Sequence, residues 1–185
     1  MGKLSRACAV GAAVVLGLVL WHIPAYGAIG ASATITPSQL GPSSYEYAMT
    51  LTNTGTTPIG TFWFAWFPGY DLLPHAPSAI KSPAGWTGIN APDFFGTASA
   101  QWVNTATPLQ PGQALSGFKF DTIDDPTVIG GPSPFGPSVG FSYVYIGAPQ
   151  TDPGFPFTPV TVTPEPTALT LLLAAPAFLL RRRRR

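Results

Sequence analysis

Between Ser44 and Asn53, Tyr45, Tyr47, Met49 and Leu51 alternate with Glu46, Ala48, Thr50 and Thr52. A period of two with one apolar side is the pattern of a half-buried antiparallel strand, because successive side chains leave a strand on opposite faces. Asn53-Thr54-Gly55 then supplies a turn. Such a strand needs a second layer over its apolar face, and the layer is not helical. The 22 prolines and 20 glycines among 185 residues disfavour a helical bundle, since proline breaks the helix ladder and glycine adds to its entropic cost. Nor is the chain composed like a disordered one, with 12% aromatic and only 9% charged residues.

The segment 59–67 is apolar on both faces, with Phe62, Phe64 and Trp66 against Trp63 and Phe67, which predicts one central strand ended by Pro68-Gly69. Further short strands are predicted over 31–36, 85–90, 98–103, 114–121, 139–146 and 157–162, each flanked by Pro, Gly, Asn or Asp. Val139, Phe141, Tyr143 and Tyr145 repeat the first alternation, and Ala114, Ser116, Phe118 and Phe120 make a weaker one. The stretch 124–137 reads as a Pro/Gly-rich loop, and 149–159 as an irregular edge. No window of eleven or more residues in the body has a helical period. The expected fold is all-β: a single antiparallel β-sandwich of immunoglobulin-like type, with a jelly roll as the alternative. The series Leu51-Thr52-Asn53-Thr54-Gly55, Gly85-Trp86, Leu109-Gln110-Pro111-Gly112 and Phe118-Lys119-Phe120 also resembles, in outline, bacterial extracellular immunoglobulin-like modules.

The two ends read as addresses. Lys3 and Arg6, the apolar run 7–21, Pro24 and Ala25-Tyr26-Gly27 predict a signal peptide over 1–27 with cleavage after Gly27. The cysteine, Cys8, falls within it, so the mature body would hold no disulfide, thiol nucleophile or thiolate metal site. At the other end, Pro164, Glu165 and Pro166 precede an apolar run over 168–180, followed by Arg181, Arg182, Arg183, Arg184 and Arg185. A helix over 167–180 would reach about 21 Å against a hydrocarbon core of about 30 Å. The run is short for a stable span, but the arginines form a strong cytoplasmic stop.

This three-part tail resembles the PEP-CTERM sorting signal of exopolysaccharide-producing diderm bacteria. It departs from that pattern at Thr163, where the family has Val, and in its shorter apolar run. The resemblance implies that an exosortase, a membrane transpeptidase-like sorting enzyme, recognises and processes the tail. Pro164, Glu165 and Pro166 would then be a recognition motif, not a catalytic one. The protein would be held transiently in the inner membrane before reaching the cell surface or medium, with exopolysaccharide as a candidate partner. The expected organisation is a leader over 1–27, a sandwich over 28–160 and a sorting tail over 161–185.

Between residues 28 and 163, Lys81 and Lys119 face seven carboxylates (Glu46, Asp71, Asp93, Asp121, Asp124, Asp125 and Asp152), a balance of −5. That leaves no footprint for nucleic acid. Asp121, Asp124 and Asp125 are a candidate Ca²⁺ site by type and proximity, set against turn-forming, solvated carboxylates; their spacing is not that of an EF-hand. A glycosidase needs two carboxylates on one sugar bond, and nothing marks a pair. His75 stands alone between Pro74 and Pro77, and there is no G-x-S-x-G elbow, so neither a hydrolytic triad nor a zinc site is expected. No cofactor is expected. Burial is the default for Trp63, Trp66, Trp86 and Trp102. The alternative is a sugar-stacking platform built from Trp86, Trp63 and Trp102, with Trp86, beside Gly85 and Gly88, the one expected to be exposed. Trp63 and Trp66, three apart, cannot share one side of a regular strand. The functional expectation is an exported, non-enzymatic surface or matrix protein, and the alternative is a carbohydrate-binding module.

Overall fold

A computed structural model of the chain describes residues 27–92, 96–131 and 140–159. The sorting tail expected over 161–185, and the leader expected over 1–27 apart from Gly27, lie outside the described residues. The elements are β1 (Ala31–Gly41), β2 (Ser44–Asn53), β3 (Thr61–Phe64), β4 (Trp66–Phe67), β5 (Tyr70–Asp71), β6 (Ala79–Lys81), β7 (Thr87–Pro92), β8 (Ala98–Val103), β9 (Ala114–Thr122), α1 (Pro126–Gly130), β10 (Ser142–Tyr145) and β11 (Gly154–Phe157).

Two antiparallel sheets face each other. One has the order β1-β2-β9-β6 and the other β11-β10-β3-β8-β7, while β4 and β5 form a small separate hairpin. The first order corresponds to the ABED sheet of an immunoglobulin sandwich, and β11-β10-β3 to its GFC sheet, with β8 and β7 added beyond β3. Tyr47, Met49, Leu51, Phe118 and Phe120 of one sheet meet Phe62, Phe64, Ala100, Trp102 and Val144 of the other in a single apolar core. Rings join across it: Phe64 lies 5.2 Å from Phe120, and Phe62 sits edge-on to Phe118 at 5.4 Å. Burying one such ring is worth up to about 4–6 kcal/mol, from roughly 150–250 Å² at about 25 cal/mol per Å².

The bounds of β2 are those the alternation predicts, and those of β8 match the short strand expected over 98–103. β1 extends past the predicted 31–36 through Pro37, which an edge strand tolerates because its outward backbone needs no donor. Elsewhere single backbone conformations override the pattern. Gly117 has φ +102° and lies at a register shift in β9, where Met49 pairs with Phe118 but Thr50 with Ser116. Past this bulge the inward set is Leu115, Phe118, Phe120 and Thr122, so the predicted face with Ala114 and Ser116 is corrected.

The predicted single strand over 59–67 is also corrected, because Ala65 at φ 55° divides it into β3 and β4. Gly85, at φ +80°, and Trp86 belong to the turn before β7, whose Trp86 N–H donates to the Pro83 carbonyl at 3.0 Å. The last strand starts at Gly154, earlier than the predicted 157, and its lack of a side chain admits it against Tyr145, since a Cβ there would come 2.8 Å from that ring. The loop expected over 124–137 contains a one-turn helix, α1, capped by Asp125. No helix among the described residues is long and apolar enough to cross a membrane.

Candidate functional site

Trp102 and Trp86 are core residues. Trp102 is 0% exposed, stacks on Phe62 at 5.3 Å, and donates its indole N–H to the Lys81 carbonyl at 3.0 Å. Trp86 is 7% exposed and meets Phe118 edge-on at 5.1 Å. The turn at 83–86 folds its ring in against β9, so the expectation that Trp86 is exposed is corrected: it is as buried as Trp63 at 7% and Trp66 at 6%. Neither ring offers a free face for stacking.

Trp63 points the other way. Directly opposed residues in neighbouring strands share a face. Trp63 is paired with Tyr143 on β10 and with Gln101 on β8, so all three lie on the outer side of the five-stranded sheet. Ala65 then changes the count. Its left-handed backbone resets the alternation, and Trp66 joins Trp63 on the same side, ring centroids 4.5 Å apart and 22° from parallel. The odd spacing that excludes such a pair from a regular strand does not exclude it here, because the strand is not regular. Trp63, Trp66 and Tyr145 form a second, buried apolar cluster, with the partly buried Tyr143 packed against it. Ring contacts continue from Tyr143 through Phe141 and Phe67 to Tyr70, which is 52% exposed.

Next to this cluster is an open cleft of ≈ 360 Å³ lined by Trp66, Tyr143, Tyr145, Gln150, Asp152 and Gly154. Trp66 stands at 81° to Tyr143 and 55° to Tyr145, with centroids 5.6 and 6.3 Å away. Tyr143 and Tyr145 lie side by side at 25° and 6.1 Å. Tyr143, half-buried, offers most of the ring surface, while Trp66 at 6% and Tyr145 at 3% exposed are buried and close the cleft behind it. Burial, and then the neighbouring Tyr143, raises the pKa of the Tyr145 hydroxyl, which therefore stays protonated. Among the described residues, Trp63 Nε1, Gln101 Nε2 and Ser99 Oγ are buried without a hydrogen-bond partner.

The three aspartates of the candidate Ca²⁺ site do not converge. Asp121 pairs with Lys81 at 3.3 Å. Asp124 is buried, accepting from the His75 backbone at 3.3 Å and from Thr122 Oγ1 at 3.2 Å, with His75 Nδ1 2.6 Å away. Asp125 accepts from Thr127 Oγ1 and from the Val128 and Thr127 amides, in that order the causes of its lowered pKa, and so caps α1. Among the described residues no group of three or more His, Cys, Asp or Glu is placed to hold a metal. The candidate Ca²⁺ set is corrected to an ion pair, a buried hydrogen-bond acceptor and a helix cap. His75, read from sequence as an isolated loop residue, is the partner of Asp124.

Both lysines lie on the outer face of the opposite sheet. Lys119 reaches Glu46 at 2.8 Å, and Lys81 bridges Glu46 at 2.5 Å and Asp121. Lys119 first and Lys81 second hold the Glu46 carboxyl below its ordinary 4.5. A lowered folded-state pKa contributes stability that is present above the unfolded value and lost as pH falls through the folded one. Glu46→Gln should therefore cost less than about 1 kcal/mol at neutral pH, as a largely surface network implies. The difference from wild type should fade below about pH 4. Urea midpoints across a pH series measure this; a difference that did not change with pH would refute it.

The residues that sequence reasoning missed are Gln150 and Asp152, assigned to an irregular edge, and Tyr143 and Tyr145, read only as strand alternation. The Tyr143/Tyr145 spacing was the available signal.

No protein-family model matches the chain, and no curated protein does. The chain bears a weak structural likeness to two solved chains. One is a GH20 exo β-N-acetylglucosaminidase from Vibrio harveyi in complex with N-acetylglucosamine, with TM-score 0.44 and 8% identity over 74% of this chain. The other is an inactive mutant of the same enzyme, with TM-score 0.41 and 9% identity over 72%. The chain spans 19% and 18% of those proteins, well under a third of their length.

Proposed function

We propose that the protein is an exported, non-enzymatic cell-surface or matrix protein, sorted and processed through its C-terminal tail by an exosortase-like membrane enzyme. One observation carries the reading: Pro164-Glu165-Pro166, an apolar run and five arginines occur in that order, behind an acidic β-sandwich and a signal-like N-terminus. The inner membrane is a transient station in this scheme, and nucleic acid has no part in it. The engagement of Asp121, Asp124 and Asp125 in an ion pair, a buried hydrogen-bond set and a helix cap supports the non-enzymatic part. Intact mass and terminal sequencing of the protein from its native cells test the proposal. A chain starting at Ala28 and ending near 164–166 is expected; one that keeps Arg185 would overturn the processing step.

A second reading is carbohydrate binding, favoured by the rings that Ala65 gathers on the outer face of the five-stranded sheet. The contact surface is then Trp66, Tyr143 and Tyr145, with Trp63 as support, in place of Trp86 and Trp102. Trp66→Ala should weaken polysaccharide binding at least tenfold while the near-ultraviolet dichroism of the core persists. Undiminished binding in that variant would overturn this reading.

A further inference from the structure

The cleft beside Trp66 carries information about charge that its rings alone do not. Asp152 lines it, and among the described residues its carboxylate has no hydrogen-bond or charged partner. No cationic side chain lines the cleft, because Lys81 and Lys119 are bound to Glu46 and Asp121 on the opposite sheet. The rest of the lining is Pro68, Gly69, Gln150, Gly154 and the rings of Trp66, Tyr143 and Tyr145, of which Tyr143 is half-buried and the other two are buried. Aromatic faces attract a cation through the ring quadrupole, by about 0.5–1 kcal/mol at exposed sites and about 2 or more when desolvated. An unpaired carboxylate nearby adds a Coulombic attraction of the same sign. Both features repel an anionic ligand. At ≈ 360 Å³ the cleft also exceeds what an isolated ammonium fills, and its open side lets a chain pass through.

We propose that this cleft binds a sugar residue bearing a free ammonium group, such as a de-N-acetylated hexosamine within a polysaccharide. The pyranose ring lies over Tyr143, with Trp66 and Tyr145 behind it, and the ammonium faces Asp152. The inference rests on the carbohydrate-binding reading and deepens it: the selected glycan is cationic rather than neutral or acidic. Gly154 is part of the arrangement, since a Cβ there would come within 3.0 Å of both tyrosine rings and disturb their placement.

The test is a calorimetric and tryptophan-fluorescence titration of the purified full chain with two probes of equal length, a β-linked glucosamine oligomer and its fully N-acetylated counterpart. The amine form should bind about tenfold or more tightly, equivalent to about 1.4 kcal/mol. Added salt should weaken it, as screening of a partly exposed charge pair requires. Asp152→Asn, on a partly exposed turn, should bring the amine oligomer down to the N-acetylated level with the thermal midpoint unchanged. Equal affinity for both oligomers, indifferent to Asp152→Asn but lost in Trp66→Ala, would overturn the charge selection and leave the carbohydrate face standing. Failure of the wild-type chain to bind either oligomer would overturn this inference together with the reading beneath it. An amine preference that survives Asp152→Asn would place the selecting group elsewhere and overturn the site.

Discussion

Replacing Trp102 with alanine should cost about 3–5 kcal/mol, the range for truncating a large buried aromatic residue, out of a total stability of about 5–15 kcal/mol. The indole lies at the crossing of several elements. It stacks on Phe62 of β3 and meets Phe118 of β9 edge-on at 5.6 Å. Phe62 also faces Phe157 of β11, and Phe118 receives the edge of Trp86. A void at Trp102 therefore removes support from both sheets at once. The indole N–H also satisfies the Lys81 carbonyl at the end of β6, which alanine would leave without that donor. On β7, the residue opposite is Gly88, where a Cβ would come 2.8 Å from the same nitrogen, so the neighbouring strand has no side chain to fill the gap.

The thermal midpoint should fall by about 6 °C or more, given roughly 2–8 °C per kcal/mol for domains of this size range. Trp102→Phe, which keeps a ring but loses the N–H, should cost less, about 1–3 kcal/mol. Urea unfolding followed by far-ultraviolet dichroism measures both variants. A midpoint for Trp102→Ala within error of wild type would mean that the ring does not carry this core.

β2 could be delimited from its alternation because its inner face presses against the opposite sheet throughout, and β8 from the turn residues that flank it. What escaped was the effect of two residues that leave the β region. Gly117 is a bulge residue, and an isolated glycine in a strand is a recognisable warning, but the Phe118/Phe120 alternation appeared to run straight through it. Ala65 gives no warning, since alanine favours a negative φ, yet here it adopts φ 55°. The parity argument about Trp63 and Trp66 was sound for a strand and failed because that one residue ended the strand. Similarly, Asp124 and Asp125 were legible as turn-forming residues, whereas the burial of Asp124 depends on His75, 49 positions earlier. Local pattern carries the layers of this fold; the aromatic cleft depends on where the layers are interrupted.

Asn53 tests the same point from the other side. In the sequence it is a turn residue; in the fold it is 0% exposed and fully bonded. Its Nδ2 donates to the Thr57 carbonyl at 2.7 Å and to the Leu109 carbonyl at 2.9 Å, while Oδ1 accepts from the Gly55 amide at 3.0 Å. Its own backbone pairs with Gln113 and Gly112. Because Leu109 is also bridged to Ile59, this one amide ties the end of β2 to the segments that lead into β3 and β9. Asn53→Ala leaves two carbonyls and one amide without their partner and should cost about 2–4 kcal/mol. Asn53→Asp should cost more at neutral pH, because it sets a carboxylate against the same two carbonyls in a buried position. Burial and those carbonyls favour the protonated acid in the folded state, so its pKa rises above the unfolded value and the native state binds the extra proton. Stability of this variant must then fall as pH rises through about 4 and beyond, the reverse of the Glu46 case. Urea midpoints for wild type and both variants near pH 4 and pH 7 measure the effect. The aspartate variant should be closest to wild type at the acidic end, and a gap that stayed constant between the two conditions would show that the Asn53 amide does not hold these carbonyls.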